Sequence, residues 1–187
     1  MLTWSRRAVV GLLLLACIAL SSVVTPSRVV AQAWTDVLPP DARFKVEMPA
    51  PVDRGSVDEK EPGTAGPRTV YQAALGKHNF DLDHVEYRAD LIGRQDRKAM
   101  VLDLGRGVVE KQFPKAKYKY ARDEAVSLQG WEGYALDIED EKGDGVMMRT
   151  YLVKSRLYRL LVTYDADPAA KAAATRFVDS FKVADER

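Results

Sequence analysis

Cysteine is nearly absent from this chain. Its 187 residues include one cysteine, Cys17, and two histidines, His78 and His84. One thiol cannot form an internal disulfide or a zinc site built from cysteine pairs. The sequence contains no Gly-x-Ser-x-Gly elbow, no phosphate-binding loop ending in lysine and no zinc-ligand spacing. An excess of one charge is missing too. Against 28 Lys and Arg stand 27 Asp and Glu, so no global field draws the chain to nucleic acid.

Residues 1–33 read as a cleavable export signal. Arg6 and Arg7 form a positive start, Val9 to Leu20 is apolar, and Ala31-Gln32-Ala33 is a small-x-small cleavage site that starts the mature chain at Trp34. Three other readings compete. The stretch from Val9 to Val24 contains Ser21 and Ser22 and is short for an uncleaved membrane anchor. Leu14-Leu-Ala-Cys17 has the form of a lipoprotein site, but Ile18-Ala-Leu20 carries the apolar run straight past the cysteine. Ser5-Arg6-Arg7-Ala-Val-Val10 fits a twin-arginine signal, whereas the run Leu12–Leu15 suits the general secretory route, and both routes stay open. The expected location is the periplasm or the exterior, with no membrane span after cleavage and membrane contact left open.

Removal of the signal takes three arginines and no acids, leaving 25 basic against 27 acidic residues, a net charge of −2. The remaining 154 residues suit one domain with a self-sufficient core. Phe44, Val46 and Met48 alternate with Lys45 and Glu47, the mark of a strand with one buried face, ended by Pro49. Residues 51–68 are rich in Gly, Pro and charge and read as a loop. Thr69–Leu75 and Phe80–Tyr87 read as a hairpin. Asp96 caps a helix running to about Phe113, with Val101, Leu104 and Val108 as its apolar stripe and Gly105 and Gly107 weakening it, unless close packing on a sheet demands small residues there. Ala116, Tyr118 and Tyr120 alternate with lysines as another strand, with both tyrosines expected in the core. Residues 133–139, 146–153 and 157–164 form a strand meander, and Asp167-Pro168 starts a last helix with Ala170, Ala173 or Ala174, Phe177 and Phe181 on its buried face. This order predicts an α+β domain over residues 34–187, a single antiparallel sheet with helices packed on it.

Several phrases carry a resemblance. They are Phe44-Lys-Val-Glu-Met-Pro with Pro51, Gly130-Trp-Glu-Gly-Tyr, Arg149-Thr-Tyr-Leu with Arg156-Leu-Tyr-Arg-Leu, and Arg176-Phe-Val-Asp-Ser-Phe-Lys-Val. Together they resemble the PsbP-like fold family, named for an extrinsic photosystem II subunit. The resemblance implies an antiparallel sheet layered with helices and often a protein-binding role. It implies no catalytic residue, and a shared fold does not transfer the photosynthetic role.

Candidate sites are few. Asp81, Asp83 and His84 suggest a small metal site, but strand alternation puts the two carboxylates on one face and the imidazole on the other. Asp140–Gly145 is acidic, yet Lys142 stands where a calcium loop needs a ligand and Tyr151 where it needs glutamate, so a solvated hairpin tip is expected. Lys115, Lys117 and Lys119 would form one outward stripe on a strand. That stripe is either a contact for an anionic envelope component or a guard on a sheet edge. Trp34 and Trp131 are either exposed binding aromatics or plugs at a core edge. No cofactor and no catalytic constellation is expected. The functional expectation is an exported, non-catalytic module binding a protein or envelope component. The alternative is a small-ligand carrier or enzyme with a pocket between sheet and helix.

Overall fold

The computed structural model describes residues 32–58, 62–94, 96–113 and 117–184. Arg6, Arg7, Ala31 and Lys115 lie outside these residues. The described chain is α+β and mostly sheet. Its strands are β1 (Trp34–Val37), β2 (Phe44–Pro49), β3 (Asp53–Val57), β4 (Arg68–Leu75), β5 (His78–Glu86), β6 (Lys119–Leu128), β7 (Trp131–Glu139), β8 (Gly145–Val153), β9 (Arg156–Tyr164) and β10 (Lys182–Val183). Its helices are α1 (Ala89–Ile92), α2 (Arg97–Gln112) and α3 (Pro168–Ser180).

The expectation of a single sheet is corrected. There are two antiparallel sheets, one ordered β1-β2-β10 and the other β3-β4-β5-β9-β8-β7-β6. The alternating Phe44–Met48 strand is the middle strand of the small sheet and buries its apolar residues against the face of the large one. One flank of β2 is filled by the strand just before it and the other from far along the chain: Trp34 pairs with Pro49 on one side and Val183 with Phe44 on the other. Gln129, at φ +52, locks the second flank with its side-chain amide. Its Oε1 accepts from Val183 N at 2.9 Å and its Nε2 donates to Val183 O at 3.1 Å.

Other boundaries differ for one reason. Residues 53–57, expected as loop, form β3, which pairs with β4 at the rim of the large sheet. The strand expected around residues 116–120 is instead β6, beginning at Lys119 and running ten residues along the opposite rim. Rim strands bury little on either face, so they lack the alternation that marks a strand in sequence.

Helices α2 and α3 follow their signals; the short α1 had none. The Asp96 carboxylate accepts from Lys98 N at 2.9 Å and Ala99 N at 3.3 Å, and that of Asp167 from Ala169 N at 2.9 Å, with Pro168 next. On α3 the buried line is Ala170, Ala174, Phe177 and Val178. On α2 it is Val101, Gly105 and Val109 rather than Val101, Leu104 and Val108. The shift has a steric cause. A Cβ on Gly105 would stand 3.0 Å from Tyr134 Cδ1 and 3.1 Å from Met148 Cε, so the helix sits closest to the sheet at its glycine.

The two faces of the large sheet carry separate cores. One, with Phe44, Phe80, Leu82, Tyr158 and Phe177, lies beneath α3 and the small sheet; the other, with Val101, Val109, Tyr134, Leu136 and Met148, lies beneath α2. Strand β8 is covered on both sides, and all nine of its residues are buried, hence its nearly continuous apolar sequence.

Candidate functional site

Alternation along the strands sorts side chains onto one face or the other. Helix α2 packs on β7 and β8 and leaves part of the same face of β9, β5 and β4 open beside it. Between helix and bare face lies a groove of about 610 Å³, within the usual range for ligand sites. Two cross-strand rows form its floor, Gln72–Asp81–Leu161 and Val70–Asp83–Arg159, with Arg68 beyond them. The wall is a stripe of α2 made of Asp103, Leu104, Gly107, Val108 and Lys111. Leu104 and Val108 are half-buried at the margin of the α2 core and line the groove. The apolar stripe read from the sequence thus serves the groove as much as the sheet.

The wall is firmly seated. Arg97 donates to the carbonyls of Leu152 and Lys154 at 2.9 Å each and pairs with Glu132 at 3.2 Å, and Arg106 bonds Tyr134 Oη at 3.0 Å and pairs with Asp123. The floor is charged yet partly withdrawn from water. Arg159, 6% exposed, donates from Nε and Nη2 to Asp83 Oδ1 at 3.0 Å each. Burial pushes the Asp81 carboxyl up, and the bond from Gln72 Nε2 at 2.7 Å offsets this in part. The groove collects three cations, Arg68, Lys111 and Arg159, and three carboxylates, Asp81, Asp83 and Asp103.

The residues singled out from sequence fall elsewhere or play other parts. Lys117 and Lys119 are exposed, but β6 begins only at Lys119, so they do not share a strand. Tyr118 is half-buried, edge-on to Phe113 at 5.8 Å, whereas Tyr120 is 43% exposed, which corrects its expected core position. Its strand lies on the rim, with no layer to bury it. The Ala33 carbonyl extends the ladder by accepting from Ala50 N at 2.8 Å. The Trp34 ring sits under the Arg176 guanidinium at 4.3 Å and edge-on to Phe80 at 5.8 Å, closing a core margin. Trp131 packs, partly buried, at the edge of the same core. In the β7–β8 turn, Asp140 Oδ1 accepts from Lys142 N at 2.8 Å and Asp144 N at 3.0 Å, so this carboxylate is spent on the turn itself. Among the described residues no cluster of three metal-binding side chains occurs, and no helix is long and apolar enough to cross a membrane.

His84 points away from Asp81 and Asp83, as alternation requires. It lies among Phe44 at 6.2 Å, Tyr71 at 6.2 Å and Tyr158 at 6.0 Å, and its Nε2 has no hydrogen-bond partner. Burial, helped by the Arg156 and Arg54 charges and opposed by Asp41 and Glu86, lowers its pKa to about 4. An unfolded chain would protonate His84 near 6.5. Between these values the unfolded state binds more protons, so stability falls as pH drops through the window. The expected loss assigned to His84 is about 2 kcal/mol between pH 7 and 4, after discounting for partial exposure. Chemical denaturation of wild type and His84→Phe at both pH values checks this; equal pH slopes in the two proteins would refute it.

Asp81, Asp83 and Gly107 stand out in the sequence but their meeting place does not, and neither Arg68 nor Arg159 is marked there as a site residue. The available signal was the run Asp81-Leu-Asp83, which puts two charges on one strand face beside a helix containing an unneeded glycine.

No protein-family model matches the chain, and no curated protein matches it. Solved structures do. Cyanobacterial PsbP from Synechocystis sp. PCC 6803 superposes with a TM-score of 0.54 at 14% identity, over 83% of this chain and 95% of that one. LpqN from Mycobacterium tuberculosis, described as involved in cell envelope biogenesis, aligns over 83% of this chain and 92% of its own at 18% identity, with a TM-score of 0.45. The arrangement of the described strands and helices is therefore that of the PsbP-like fold.

Proposed function

We propose that this protein is an exported binding module, not a catalyst, and that it holds its ligand in the groove between α2 and the β4-β5-β9 face. The observation that carries the reading is the groove itself, where opposite charges converge on a partly dehydrated floor beside a firmly anchored helix. Its lining has no histidine, cysteine, serine or threonine. Asp83 is engaged by Arg159 and Asp81 by Gln72, which suits recognition better than proton transfer. Export is supported by the arginine pair, apolar run and small-x-small site of residues 1–33. The lysines near the start of β6 serve this reading as an edge guard.

Native mass spectrometry of the protein released gently from the cell envelope tests the proposal. A bound mass is expected on the wild-type chain and absent from Val108→Trp, which fills the groove from its wall. A bound mass that survives the block would place the site elsewhere.

A further inference from the structure

Glycine inside a helix costs about as much as any ordinary residue can. Helix α2 carries two. Gly105 is explained by its closeness to Tyr134 and Met148. Gly107 is not: a Cβ there would meet nothing within 4 Å, and the residue faces the groove. Packing within the domain gives no reason for it. It leaves a bare stretch of helix backbone in the middle of the groove wall, where another main chain can approach closely.

The groove is also elongated. A second depression of about 210 Å³, lined by Pro62, Gly63, Leu91 and Met100, shares Asp103 and Leu104 with it. Met100, Asp103, Leu104, Gly107, Val108 and Lys111 recur at three- and four-residue steps and so form one line along α2. That line rises about 16 Å, room for about five residues of extended chain.

Charge narrows the occupant. A polyanion would meet Asp81, Asp83 and Asp103; a polycation would meet Arg68, Lys111 and Arg159. An uncharged sugar would leave the Asp81 carboxylate without a counter-charge. A ligand bearing both signs meets complementary groups. Leu104, Val108 and Leu161 add apolar contact between the charges.

We propose that the groove takes an extended peptide segment bearing both charges, a basic group against Asp81 and Asp103, an acidic group against Arg68 and Lys111, and its main chain passing over Gly107. This deepens the reading of the groove as the binding site and rests on it. A phosphoethanolamine headgroup carries the same two charges but is too short to span the line from Met100 to Lys111.

The test is a titration of the isotope-labelled full mature chain, followed at backbone amides. The probe is the end-blocked pentapeptide Lys-Ala-Ala-Ala-Glu, compared with all-lysine and all-glutamate pentapeptides and with phosphoethanolamine. The mixed peptide is expected to shift the Gly107 and Asp103 amides and to bind at least tenfold tighter than each of the others. Gly107→Leu is expected to weaken it at least tenfold. Gly107→Ala is expected to raise the melting temperature while weakening the peptide measurably, which separates recognition from folding. Equal binding of the uniform peptides, absence of a shift at Gly107, or parity of phosphoethanolamine overturns the proposal. Should the peptide fail while groove-dependent mass is still seen on the envelope-derived protein, the binding reading stands and only this occupant falls.

Discussion

Asp137→Ala is expected to lower the stability of the domain by about 3–5 kcal/mol, the usual cost of orphaning one partner of a buried ion pair. Its partner Arg149 lies on β8 between Met147 and Tyr151, on the face covered by α3, and is 6% exposed. The Arg149 Nη1 stands 2.5 Å from Asp137 Oδ1 and Nη2 3.2 Å from Oδ2, with one further bond to the Met148 carbonyl at 2.8 Å. Removing the carboxylate leaves a largely buried guanidinium without its counter-charge. Replacing both residues at once, Asp137→Leu with Arg149→Met, is expected to restore most of the loss, because two apolar chains of similar volume need no partner. Urea unfolding of the three proteins measures this. A single variant within about 1 kcal/mol of wild type would show that Arg149 has another route to solvent or charge.

Phe44→Ala should have a comparable effect for a different reason, about 3–5 kcal/mol from lost burial and the cavity left behind. Phe44 is fully buried and meets four aromatic rings, Tyr71 at 5.3 Å, Phe181 at 5.8 Å, Tyr158 at 5.9 Å and His84 at 6.2 Å. These rings come from β4, β9, β5 and the residue that ends α3, so one side chain joins the small sheet, the large sheet and the helix. Its neighbour Lys45 points outward, pairing with Asp36 while half exposed. Lys45→Ala should change stability by no more than about 0.5 kcal/mol. The contrast between two adjacent residues, measured by thermal or urea unfolding, tests whether β2 docks as described.

What the sequence revealed depended on whether a strand had covered faces. The alternation of Phe44 to Met48 and the apolar run of β8 were legible because burial shaped them. Strands β1, β3 and β10 were not, since each lies on a rim and is defined by pairing rather than by side-chain burial. Without β1 and β10 nothing signals that β2 belongs to a sheet of its own. The α2 stripe was read one position off because the residue nearest the sheet is glycine, which carries no hydrophobic signal. The groove was least legible of all. Its charges lie on three strands and a helix, and it exists because α2 covers only part of a face, which no local pattern records. The caps at Asp96 and Asp167, by contrast, are local chemistry and could be placed directly.

The small sheet has a consequence for timing. Strand β2 gains one neighbour almost at once, from Trp34 to Val37, but its other neighbour is Lys182 and Val183, nearly the last described residues. A growing chain presents its beginning first, so β2 must wait with an open edge until β3 to β9 and the three helices have emerged. Strand β2 is thus completed by residues far downstream of it, and Gln129 fastens them only on their arrival. A chain cut short before Lys182 keeps most of its apolar residues but leaves that edge unpaired, which marks it as unfinished and available to chaperones and proteases.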